Sequence, residues 1–107
     1  MSENQGRVTI AQNVLDTIAQ LTTLNVPGVS RLGARSPLRR AGDGVHVEVF
    51  DQRVNVDVYV VVQPEVNMRD VGQAIQVEIA RAMKDMVGMD VAAVNVHIQD
   101  VEAAPGS

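Results

Sequence analysis

The sequence predicts an α+β fold, a two-layer sandwich with two helices on one face of a small mixed sheet. Three observations predict it. The run Val54-Asn-Val-Asp-Val-Tyr-Val-Val-Val62 places five valines at period two, so a strand there is apolar on one side and mostly polar on the other. Two longer segments repeat apolar residues at helical spacing. Between and around them, shorter alternating runs give the order β-α-β-β-β-α-β, which supplies neighbours for the valine strand and cover for one of its faces.

The elements follow in order. Residues 1–5 are polar and read as a flexible tail. Arg7-Val-Thr-Ile10 is a short strand candidate. A helix is expected from about Gln12 to Leu24, with an apolar stripe of Val14, Leu15, Ile18, Leu21 and Leu24. Thr9 and Gln12 fit a capping box, while a start after Ala11 fits equally. Asn25 suits a left-handed stop, and Pro27-Gly28 prevents continuation. Val29 to Leu32 reads as a short strand. A long loop from Gly33 to Gly44, with three glycines and a proline, separates it from an alternating strand at Val45, Val47 and Val49. Asp51-Gln52-Arg53 is short enough to make that strand and the valine strand an antiparallel hairpin. Asn67 is expected to cap a second helix over Met68–Val87, with Gly88 as its left-handed end. Its buried stripe is Met68, Val71, Ile75, Ile79, Ala82 or Met83, and Met86. Val91, Val94, Val96 and Ile98 mark the last strand, which a crossover through the second helix brings back to the sheet.

At 107 residues the chain is long enough for one domain, placed at residues 6–101, with residues 102–107 as a second flexible tail. Only 2% of residues are aromatic, so the core is aliphatic. There is no cysteine, which rules out disulfide and thiolate chemistry. A net charge of −4 argues against a general nucleic-acid binder, because phosphate neutralisation dominates that affinity. No apolar run approaches the ~20 residues that span a bilayer, and the first residues hold no apolar signal region. A cytoplasmic protein is expected.

No catalytic motif stands out. His46, Glu48, Phe50, Asn55, Asp57, Tyr59, His97 and Gln99 fall on the polar sheet face, but their spacing matches no metal or acid–base site. Phe50 and Tyr59 invite an RNA-stacking reading, which the acidic neighbours Glu48, Asp51 and Asp57 oppose; a protein contact suits these aromatics better. The glycines fit no phosphate-binding frame. The sequence nominates no catalytic residue, no metal and no cofactor. Its sharpest charge feature is a basic loop. Arg31, Arg35, Arg39 and Arg40 lie in ten residues without an acid, whereas the other five basic residues share the rest of the chain with thirteen acidic ones. The plain alternative is a solvated hairpin. At ~1 kcal/mol per arginine near an anionic surface, the loop contributes about 4 kcal/mol, roughly millimolar binding. It can orient a protein at a membrane and cannot hold it there alone.

Two stretches carry a family resemblance. Gly6-Arg-Val-Thr-Ile-Ala-Gln-Asn-Val-Leu-Asp-Thr-Ile-Ala19 leads to Val26-Pro-Gly-Val29. The valine strand leads to Asn67-Met-Arg-Asp-Val-Gly-Gln-Ala-Ile-Gln-Val-Glu-Ile79 and ends in Val94-Asn-Val-His-Ile98. Together, over about residues 6–101, they resemble the bacterial alkaline-shock protein family of the general or envelope stress response. The resemblance implies a non-enzymatic protein of cell-envelope homeostasis, self-associating and recruited to the cytoplasmic face of the membrane by an integral-membrane partner. It supplies no catalytic residues. Arg31, Arg35, Arg39, Arg40, Phe50 and Tyr59 are nominated as a partner or anion contact. A nucleic-acid or regulatory binding module using loop 31–40 is the alternative.

Overall fold

The alternating valines form the strand to which every other strand is bonded. The structure, a computed structural model, describes residues 6–34 and 43–103. In chain order the elements are α1 (Gln12–Leu24), β1 (Val29–Leu32), β2 (Val45–Phe50), β3 (Arg53–Val62), α2 (Met68–Val87) and β4 (Asp90–Val101). β3 pairs antiparallel with β1 and β2 and parallel with β4, so the sheet is mixed as expected. A parallel pair cannot be closed by a tight turn, and α2 provides the long connection.

β1 and β2 lie end to end along one edge of β3. β2 pairs with residues 53–58 and β1 with residues 60–62. Tyr59 sits at the join. Its N–H donates to the Gly44 carbonyl at 2.7 Å, and its own carbonyl accepts from the Gly33 N–H at 2.7 Å. A Cβ on Gly44 would stand 2.5 Å from the Tyr59 carbonyl oxygen and 2.7 Å from that of Gly33. Only glycine fits where three backbones meet. β4 fills the other edge of β3 over its whole length.

One expected element is missing. Arg7–Ile10 was expected as a strand, and the described residues there form none. Both edges of β3 are already taken, and Val8 is left 90% exposed while Ile10 packs partly against the core. The α+β sandwich stands without it.

Val54, Val56, Val58, Val60 and Val62 all point into the helix layer and are buried. Each contributes about 1.5–3 kcal/mol relative to exposure. From α2 they meet Val71, Ile75, Ile79 and Met83, which settles the Ala82-or-Met83 choice for Met83. Met68 and Met86 were expected in the same stripe and are exposed, while Val87, next to Met86, packs against the core in its place. α1 is rotated from its expected face. It buries Leu15, Ile18, Ala19 and Thr23, and leaves Val14, Leu21 and Leu24 largely exposed. Thr23 can be buried because its hydroxyl donates to the Ala19 carbonyl at 2.8 Å.

The helix ends follow local chemistry. Asn67 caps α2, its side-chain oxygen accepting from the Asp70 N–H at 3.0 Å, and Gly88 closes the helix in the left-handed region at φ 72°. Asn25 does not take the left-handed conformation expected of it. It stays right-handed at φ −84°, and Gly28 makes the turn instead at φ +98°. α1 starts after Ala11, with no side-chain cap. Ala11 already has the extended backbone of a capping residue. Ala11→Ser is therefore expected to raise stability by about 1 kcal/mol, and Asn67→Ala to lower it by a similar amount, read from urea midpoints.

Candidate functional site

The helices cover one face of the sheet and leave the other open. Register across three strands sets its geometry. His46, Asp57 and Asn95 stand abreast on β2, β3 and β4, and Tyr59 stands beside His97. The Asn95 amide donates to Asp57 Oδ1 at 3.2 Å, and His97 Nε2 lies 3.4 Å from the same oxygen. The His97 ring stacks on Tyr59, with centroids 4.4 Å apart and 12° between planes. His46 Nε2 lies 3.5 Å from Glu48 Oε2. Phe50 projects from the same face at the end of β2 and is 44% exposed. Of the sequence-nominated residues, Asp57, Tyr59 and His97 converge, joined by Asn95, while His46 and Glu48 form a separate pair and Gln99 reaches Ala34. Among the described residues, no group of three His, Asp or Glu side chains is placed to hold a metal ion.

Arg31 lies on the same face and holds a specific partner. Its Nε and Nη2 donate to the two carboxylate oxygens of Glu102 at 2.8 and 3.1 Å, and its Nη1 donates to the Leu32 carbonyl at 3.2 Å. The fork-to-fork pair joins β1 to the end of β4 across β3. It lies over Val61, which is buried although its position faces the open side. Residues 102 and 103, expected in the flexible tail, are tied down: Glu102 by this pair and by its N–H to the Val62 carbonyl, Ala103 by the Ser30 hydroxyl. The bond to Arg31 holds the Glu102 carboxyl below its ordinary pKa and raises that of Arg31. A carboxyl lowered on folding stabilises above its unfolded pKa and stops doing so as pH falls through the folded one. Glu102→Gln is therefore expected to melt slightly below wild type at neutral pH. Thermal scans in acid should show the gap closing below the ordinary glutamate range.

Arg35, Arg39 and Arg40 lie outside the described residues. The residues on either side of their loop are bonded into the sheet. Gly33 and Gly44 bond the carbonyl and the N–H of Tyr59. The Gln99 side chain clamps Ala34, donating to its carbonyl at 2.7 Å and accepting from its N–H at 3.1 Å. The described residues on either side of the loop, Gly33 and Gly44, thus meet at Tyr59, with Ala34 held by Gln99 from the open face. Sequence reading found the loop and the face separately and missed their junction. It also missed the Glu102 partner of Arg31, which is 71 residues distant and has no local signal.

The described residues thus form an α+β sandwich with one sheet face left open by the helices. Comparison with known proteins gives the family. The ASP23 (alkaline-shock protein) family, described by a cell envelope-related function, matches residues 1–103, and the chain belongs to it. The uncharacterized protein YqhY of Bacillus subtilis is 29% identical over 105 residues, covering 91% of this chain and 78% of that protein. The uncharacterized protein Spy1535 of Streptococcus pyogenes serotype M6 is 31% identical over 108 residues, covering 95% and 84%. Among solved structures, a zinc form of a MamM CTD variant superposes with TM-score 0.61 at 12% identity, covering 82% of this chain and 84% of that one. At that identity the likeness is one of fold. No helix among the described residues is long and apolar enough to cross a membrane.

Proposed function

We propose that this protein is a non-enzymatic scaffold of cell-envelope stress homeostasis, acting at the cytoplasmic face of the membrane through a membrane-protein partner and through self-association. One observation carries the reading: the open sheet face and the roots of the basic loop are continuous at Tyr59. Phe50 and Tyr59 are then read as one contact surface, beside the roots of the loop whose sequence carries arginines 35, 39 and 40. Tyrosine, phenylalanine and arginine are the residues that protein interfaces favour. Arg31 supports this surface by holding β1 to β4 rather than by offering its charge, and that subtracts one cation from the nucleic-acid alternative. Asp57, Asn95 and His97 of the face are engaged with one another, which suits a presented surface better than a reacting one.

The test is affinity recovery from native lysate with membranes retained, at low and moderate salt. Wild type is compared with the variant Arg35→Ala/Arg39→Ala/Arg40→Ala. The expected result is one membrane protein recovered at both salts and lost with the triple variant. Recovery of nucleic acid that disappears at moderate salt would replace this reading with the alternative.

A further inference from the structure

A groove of about 470 Å³ runs between α2 and the outer edge of β4, lined by Arg69, Gly72, Gln73, Gln76, Val96 and Ile98 among others. We propose that it receives a second copy of this chain, with the two β4 strands pairing antiparallel about a twofold axis at Val96. The proposal deepens the self-association part of the function above and rests on it.

The first argument is backbone satisfaction. Tyr59 turns both its polar groups toward β1 and β2, so the even-numbered residues of β3 turn theirs toward β4. In the parallel register, Asn95 and His97 answer them, and Val94, Val96 and Ile98 direct N–H and C=O outward. The Gln76 amide donates to the outward Val94 carbonyl at 3.1 Å, so that carbonyl already holds one partner and a further strand's N–H would join or displace it. On the far side of the sheet the Gln12 amide does the same for the Val47 carbonyl at 2.7 Å.

The second argument is charge, and it selects the occupant. Edge strands are ordinarily blunted by lysine, proline, bulges or a short length, and the irregularities of β4, at Val91–Ala93 and Ile98–Asp100, flank a regular run between them. β4 is 12 residues long, and residues 91–99 contain no proline, Asp, Glu, Lys or Arg. The outer stripe of α2 beside it, Gly72, Gln73, Gln76, Val77 and Ala80, is also uncharged, with Val77 53% exposed. Among the described residues lining the groove, Arg69 is the one full charge. A second copy of a chain with net charge −4 finds the place where self-repulsion is least.

The same reasoning sets the register. An axis at Asn95 would oppose Asp90 to Asp100 of the second copy. An axis at Val96 pairs Val94 with Ile98 beneath the helices and Asn95 with His97 on the open face. Asp90 then meets Glu102, and both are already neutralised, by Lys84 at 3.1 Å and by Arg31. The α2 helices come side by side, so both layers continue across the axis.

Two charge variants and one cysteine variant test this, with folding checked by circular dichroism. Asn95→Lys/His97→Lys and Asn95→Glu/His97→Glu each place like charges opposite one another across the axis and are expected to raise the dimer Kd about tenfold or more in sedimentation equilibrium. Mixing the two is expected to restore dimer. Val96→Cys, in a chain with no other cysteine, is expected to form a disulfide-linked dimer, since directly opposed residues of a hydrogen-bonded pair have Cα atoms about 5.5 Å apart. Val49→Cys on the opposite edge is expected not to cross-link. Monomeric wild type would overturn self-association and this proposal together. A wild-type dimer unaffected by either charge variant, with no Val96→Cys cross-link, would overturn the β4 edge alone.

Discussion

Ile75→Ala lowers the unfolding free energy by about 2–5 kcal/mol, the range for removing a fully buried aliphatic side chain and leaving a cavity. Ile75 is completely buried among the β3 valines and neighbouring α2 side chains, and nothing nearby is free to fill the space. Domains of this size are stable by about 5–15 kcal/mol in all, so the variant loses a large share of that. Met86→Ala is the control. It lies on the same helix and in the stripe that sequence periodicity assigned to the core, yet Met86 is 66% exposed. Its expected cost is within about 0.5 kcal/mol. Urea unfolding of both variants separates them; equal losses would mean that α2 is rotated from the face described.

Gly44→Ala is the second large effect. A methyl group there meets backbone oxygens of Tyr59 and Gly33, not the movable end of a side chain. Relief requires parting β1 or β2 from β3 at the Tyr59 join. The expected cost is about 1–3 kcal/mol or more. The same substitution moves the root of the basic loop, so partner recovery is expected to fall even where the variant remains folded. Gly72→Ala is the contrast, because a Cβ at Gly72 has nothing within 4 Å. In a helix interior it is expected to gain several tenths of a kcal/mol in the monomer.

The two helices show how far the sequence could be read. α2 was legible because its buried residues, Val71, Ile75, Ile79 and Met83, are large, apolar and four apart, and because Asn67 and Gly88 mark its ends with ordinary cap chemistry. α1 was legible in extent and not in rotation. Its sheet contact uses Ala19 and Thr23, one too small to weigh in a periodicity and the other polar until its hydroxyl finds Ala19. The hairpin of β2 and β3 followed from a short turn. The end-to-end seating of β1 and β2 did not, because it depends on Gly33, Gly44 and Tyr59 meeting across long stretches of chain. The polar face was legible as alternation on β2, β3 and β4. The Arg31–Glu102 pair and the Gln99 clamp on Ala34 were not, since only the strand order brings those residues within reach.

Partner-mediated recruitment is the central claim, and membrane binding by purified protein tests it most directly. Arginines at ~1 kcal/mol each, opposed by the acidic remainder, are too few to hold the chain on lipid. At physiological salt the protein is expected to co-sediment with isolated bacterial membranes, to lose that binding when the membranes are first treated with protease, and not to bind vesicles of their extracted lipids. Equal binding to the extracted-lipid vesicles, or no loss after protease treatment, would contradict the account.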